Sequence, residues 1–145
     1  MDPTGRLDPE APDTRSLAYA PEVRAPDGSL VRPLCQVAGR GSFAHFQLEP
    51  GETARAVSHA TVAEIWYVIG GRGTMWRRPE RGDPVTVDLE PGVCLTIPVR
   101  TAFQFRAHEG AGPLAVVAVT MPPWPADRRD EARPEQGPWA PAFQP

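Results

Sequence analysis

Lysine is absent from this chain, and all 15 basic residues are arginine. Schiff-base chemistry, which needs a primary side-chain amine, is therefore excluded. The arginines form no basic stripe, and 18 acidic residues leave a net charge of -3. Nucleic acid is accordingly not expected as a partner. Cysteine is scarce: Cys35 and Cys94 stand alone, with no CxxC pair and no dense disulfide pattern. Both read as reduced thiols that pack as small hydrophobes. No apolar run approaches the roughly 18 residues of a membrane span. The charged, proline-broken first residues lack the apolar stretch of a signal peptide. The expectation is a soluble, cytoplasmic protein with no membrane partner.

What is present suffices for one domain. A chain of 145 residues with 41% apolar content can bury roughly two-thirds of its extended surface. The 19 prolines gather near the two ends, so the foldable part is shorter than the chain. Residues 1–16 carry Pro3, Pro9, Pro12 and many charges and are expected to be disordered. Residues 17–33 read as an extended arm around the turn Pro26-Asp27-Gly28-Ser29. That arm can add a strand to its own barrel or to a partner's. Residues 34–121 form the core, and 122–145 a tail in which seven prolines rule out sheet interior. Trp124 and Trp139 are costly to leave in water, so the tail is expected to lie on the barrel, with at least Trp124 packed down.

Within the core, eight runs read as strands: 42–48, 53–59, 65–69, 73–77, 84–89, 93–97, 102–106 and 114–121. Turn chemistry separates them, as in Glu49-Pro50-Gly51, Gly70-Gly71, Arg81-Gly82-Asp83 and Glu90-Pro91-Gly92. No ten-residue stretch keeps a helical period. The fold class is all-β, a sandwich or small barrel.

The informative stretch runs from Gly51 to Gly71. Strand alternation sets Thr53, Arg55, Val57 and His59 on one face, and Glu64, Trp66 and Val68 on another. A histidine and a carboxylate at facing strand ends can share a proton or clasp a cation, although a solvated surface pair fits the same pattern. The segment resembles the first motif of the cupins, a glycine, five residues, His-x-His, three or four residues, Glu, six residues, Gly. Gly51, His59, Glu64 and Gly71 match it, and Val57 stands at the first histidine. A second cupin motif is half kept. Gly92 and Pro98 match, whereas Arg100, Phe103 and Ala107 stand at the glycine, histidine and asparagine. The resemblance implies a jelly-roll barrel over residues 42–121.

It also implies that the metal site is degenerate, since metal-using cupins generally hold the ion with three histidines and the glutamate. His59 and Glu64 alone would bind a first-row ion weakly, so no metal and no cofactor are expected. His45, His108 and Cys94 are weaker substitutes. His108 reads as a loop histidine, and His45 lies on a strand face that could point either way.

The expected pocket is lined by Val57, Trp66, Val68, Phe103 and Phe105, with Trp76 as a further contributor. Such a lining suits a small organic molecule, anionic or aromatic in character. His59 is the candidate general base, with a pKa of about 6.5 when unperturbed. Glu64 would fix its tautomer or exchange the proton itself. Arg55 could neutralise a carboxylate, phosphate or enolate. The leading expectation is an enzyme using metal-independent proton transfer, of isomerase, cyclase, dehydratase or decarboxylase type. Two alternatives stay open: a non-catalytic small-ligand-binding cupin, or a metal-dependent one with an unconventional site on His59 and Glu64. Exposed sheet edges and the extended arm also predict a homodimer.

Overall fold

The structure, a computed structural model, describes residues 10–124 and 132–143. Alternation is clearest in β5 (Ala63–Gly70), where Glu64, Trp66 and Val68 turn inward while Ile65, Tyr67 and Ile69 face out. β3 (Gly41–Leu48) and β10 (Leu114–Met121) repeat the pattern. β10 pairs antiparallel with both of them. The sheet is completed by β1 (Val23–Arg24), β2 (Leu30–Val37) and β8 (Cys94–Ile97), in the order β1-β2-β3-β10-β5-β8.

A second sheet faces it, built from β4 (Val57–His59), β6 (Gly73–Arg78), β7 (Val85–Leu89), β9 (Ala102–Ala107) and β11 (Ala132–Pro134). Its order is β11-β4-β9-β6-β7. The expected all-β jelly roll is what forms, and no α-helix occurs among the described residues. One 3-10 turn covers Leu17–Tyr19. Among the described residues no helix is long and apolar enough to cross a membrane.

The core lies between the sheets and centres on aromatic rings. Trp66 stacks on Phe46 with centroids 5.6 Å apart and meets Phe103 and Phe105 edge-on at 6.0 and 4.9 Å. Each such contact adds roughly 0.5–1.5 kcal/mol beyond burial. The closing motif glycine has a steric reason. Gly71 has φ of 74°, and a Cβ there would run into the Pro113 carbonyl, so only glycine fits.

Two expectations are corrected. The run 53–59 is regular strand only from Val57, with Thr53 held by an isolated bridge to Arg106. The arm and the core are not separate at residue 34, because β2 crosses that boundary and pairs with β3. Residues 132–134 of the proline-rich tail join a sheet only at its edge, as β11, where Pro134 has no central-strand bond to lose. Of the N-terminal segment expected to be disordered, residues 1–9 lie outside the described residues. Residues 10–16 carry no strand or helix, yet a Glu10 carboxylate oxygen accepts the Ala38 N–H at 3.1 Å.

Candidate functional site

β4 and β5 bring His59 and Glu64 together. Nε2 of His59 lies 3.4 Å from Oε2 of Glu64, and both side chains are more than nine-tenths buried. The other carboxylate oxygen of Glu64 accepts the indole N–H of Trp66 at 3.3 Å. The pair is thus a core feature and not a solvated surface contact. The Phe103 ring stacks against the imidazole with centroids 5.9 Å apart. The His59 carbonyl accepts the backbone N–H of Arg100 at 2.8 Å. Arg100 has φ of 60°, the left-handed conformation that explains why a glycine suits this motif position. An arginine there costs roughly 1–2 kcal/mol, and a 3.0 Å bond from Nε of Arg100 to Glu80 accompanies it.

His59 and Glu64 face a cavity lined also by Asp27, Phe46, Val57, Trp66, Phe103, Trp124 and Ala132. Its volume is about 10 Å³, room for about one water molecule. The apolar barrel pocket expected from the sequence is therefore nearly filled, by Phe46, Trp66 and Phe103. Val57, Trp66 and Phe103 do reach the cavity. Phe105 and Val68 lie in the core away from it, Phe105 against the Trp66 ring. Trp76 is buried with the Arg78 guanidinium over its ring. A larger pocket of about 270 Å³ adjoins, sharing Pro26, Val57 and Ala132 with the first and adding Arg55, Gln104 and Trp139. Arg55 thus sits outside the barrel cavity, where its Nη1 donates to the Pro26 carbonyl.

The remaining histidines are elsewhere. His45 points to the outer sheet face beside Arg32, with Nη1 of Arg32 3.5 Å from Nδ1. Burial, then the Arg32 charge, pushes its pKa below the usual histidine value. His108 is bonded to Thr74 at 2.7 Å. Cys94 is exposed opposite Tyr67.

The family's metal set does not fit this site. Val57 offers no donor, and the Phe103 ring occupies the space against His59 that a further imidazole would need. Among the described residues no group of three histidine, cysteine or carboxylate side chains is arranged to hold an ion.

In the sequence Asp27 is a turn residue. Nothing local in Pro26-Asp27-Gly28-Ser29 signals burial, since its contact with the barrel depends on strand pairing about 30 residues on. It is buried, with Oδ1 accepting the N–H and Oγ–H of Ser29 at 2.9 and 2.6 Å. Burial raises its pKa, opposed by the Ser29 bonds and by the charges of His59 and Arg55.

A two-sheet jelly roll around a half-kept histidine–glutamate motif defines a small β-barrel of the cupin type. A model of the cupin domain matches residues 44–120, more than half of the chain, and the protein belongs to the cupin family. Among solved structures it is similar to Streptomyces PAC13 with uridine, at 15% identity and TM-score 0.65 over 88% of this chain and 93% of that one. PAC13 is described as a nucleoside dehydratase. KdgF from Halomonas gives 17% and 0.64 over 83% and 97%. Oxalate decarboxylase from Bacillus subtilis gives 18% and 0.65 over 82% of this chain. The chain spans under a third of that enzyme and of CapF. No curated protein matches by sequence.

Proposed function

We propose that this cupin is an enzyme that transfers protons on a small organic molecule with side chains alone, His59 and Glu64 forming the acid/base pair. The observation that carries this reading is the buried pair itself, 3.4 Å apart at a cavity. Burying two titratable groups is costly, and proton-transfer work gives a reason for it. Catalytic relatives of the same fold, a dehydratase and a decarboxylase, make such chemistry plausible.

The body of the substrate would occupy the 270 Å³ pocket. Arg55 would meet an anionic group and Trp139 an aromatic one. The reacting end would reach His59 by displacing the wall of Pro26, Val57 and Ala132. A cytoplasmic setting belongs to the same proposal and is supported by the free thiols Cys35 and Cys94. So does a homodimer, on the exposed apolar outer face of the six-stranded sheet.

The second reading is a binding module, favoured by how little room the barrel cavity leaves. A panel of uridine, oxalate, a tropolone and small sugar acids, followed by NMR in D₂O, separates the two. Turnover or deuterium uptake lowered roughly 10²- to 10⁴-fold in both His59→Gln and Glu64→Gln is expected. Binding without turnover, or turnover unchanged in both variants, would overturn the enzymatic reading.

A further inference from the structure

We propose that Asp27, carried by the N-terminal arm, is the proton donor of this site, set against the His59–Glu64 pair across their shared cavity. The inference rests on the acid/base reading of that pair and adds a residue to it.

Asp27 lies in the turn between β1 and β2, and several bonds hold that turn against the barrel. The Gly28 N–H donates to the Ala25 carbonyl at 2.9 Å, and the Arg55 N–H donates to the Asp27 carbonyl at 2.7 Å. Nη1 of Arg55 adds a bond to Pro26 at 2.9 Å, and Nη1 of Arg24 one to Gly28 at 3.1 Å. Gly28 has φ of 96°, and a Cβ there would strike the Phe143 ring. An aspartate that only shapes a turn works as well in water. This one is 6% exposed and lines the cavity of His59 and Glu64. Ser29 fixes Oδ1 through two bonds and so orients the carboxyl group.

Among the described residues the groups facing Asp27 are few. Its own turn gives Ser29, the segment through β4 gives Arg55 and His59, and β5 gives Glu64. β9 contributes Phe103 and the tail Trp124 and Ala132, none of which titrates. Burial is the largest influence on Asp27 and favours the protonated acid. Two carboxyls thus line one cavity with a single imidazole but differ in surroundings, the arrangement that separates an acid from a base.

The chemistry it suits removes one proton and delivers another, as in loss of water from a hydroxylated substrate. The imidazole takes a proton from carbon, and that electron pair forms the new C=C bond. The C–O bond breaks, and the Asp27 proton goes to the departing oxygen, which leaves as water. A proton then returns from the His59 imidazolium to the Asp27 carboxylate, restoring both groups.

Carboxyl-carbon NMR of the full chain, labelled at aspartate and assigned with Asp27→Asn, is the direct test. Asp27 is expected to titrate above the usual aspartate range. Its midpoint should rise in Ser29→Ala, which loses a donor to the charged form, and in His59→Gln, which loses the imidazolium. A midpoint in the usual range, or one unmoved by His59→Gln, overturns the proposal. On whichever panel compound is turned over, Asp27→Asn keeps the acceptor for Ser29. It should lower kcat with KM unchanged and abolish the fall in rate at high pH that marks a proton donor. An Asp27→Asn enzyme with wild-type kcat and pH profile, beside an inactive His59→Gln, removes Asp27 and leaves the pair standing. Full activity in His59→Gln removes both.

Discussion

Arg55 and Asp27 are joined backbone to backbone, the Arg55 N–H donating to the Asp27 carbonyl at 2.7 Å. The arginine that strand alternation sets in phase with His59 therefore clamps the arm's turn, and the turn carries a carboxyl into the barrel. Arg55→Ala removes the side-chain bond to Pro26 and keeps the backbone one. This bond is charge-assisted but exposed to solvent, and contributes about 1 kcal/mol. Amide exchange at Gly28 and Ser29 should speed up several-fold, while Trp66 and Val116 in the core stay protected. Unchanged exchange at the turn would remove Arg55 from this clamping role.

The metal ligand positions can be tested by restoring them. Val57↔Phe103 is the registered pair between β4 and β9, so histidines at both places would face each other beside His59 and Glu64. Val57→His combined with Phe103→His should retain close to one equivalent of a divalent transition metal after dialysis. The wild type should retain far less, since two protein ligands hold such ions weakly. A stoichiometric metal in the wild type that is lost in His59→Ala would instead revive the unconventional metal site.

Much of the fold was legible because it is written locally. The alternation of Glu64, Trp66 and Val68 needs only period two, and the run 114–121 matches β10 at both ends. His59 and Glu64 were legible through motif spacing. Cavity size was not, since it depends on how Phe46, Trp66 and Phe103 interlock across two sheets. Phe105 shows the limit: alternation puts it inward with Phe103, but only packing tells that it lies against Trp66 and not on the cavity. Asp27 escaped for the same reason, its partners being set by long-range pairing.

Asp27 also gives the stability a pH dependence. Burial raises its folded pKa above the ordinary 3.8. Between the unfolded and folded values the native state holds more protons, so stability falls as pH rises through that window. Asp27→Asn removes this dependence. Its stability relative to wild type should therefore grow from about pH 4 upward and level off above the folded pKa, as read from urea midpoints. His45 works in the opposite sense, because its folded pKa is depressed below 6.5. Stability is lost as pH falls from 6.5 through the folded value, and His45→Gln should flatten that limb. A difference between Asp27→Asn and wild type that does not vary with pH would contradict the buried acid.

Dimerisation should use the sheet and not the arm. The arm is committed in cis: Val23 and Arg24 pair with β2, β2 pairs with β3, and Val31 is fully buried. Removing it would damage the chain's own barrel and so could not report on an interface. The outer face of the same sheet is different. Register sets Phe43, Val119 and Ile65 in one row and His45, Val117 and Tyr67 in the next, and Phe43, Val119, Ile65 and Tyr67 are exposed. A contiguous apolar face of this kind marks an interaction surface more often than bare solvent. A second copy fits it because an isologous contact places the same apolar rows against each other. Light scattering at micromolar concentration should give a mass near twice 15.8 kDa. Ile65→Arg, which puts a charge within that face, should return the monomer mass with the unfolding midpoint of the barrel little changed. A wild-type chain at the monomer mass across this range would end the dimer proposal, and a dimeric Ile65→Arg would move the interface to another face.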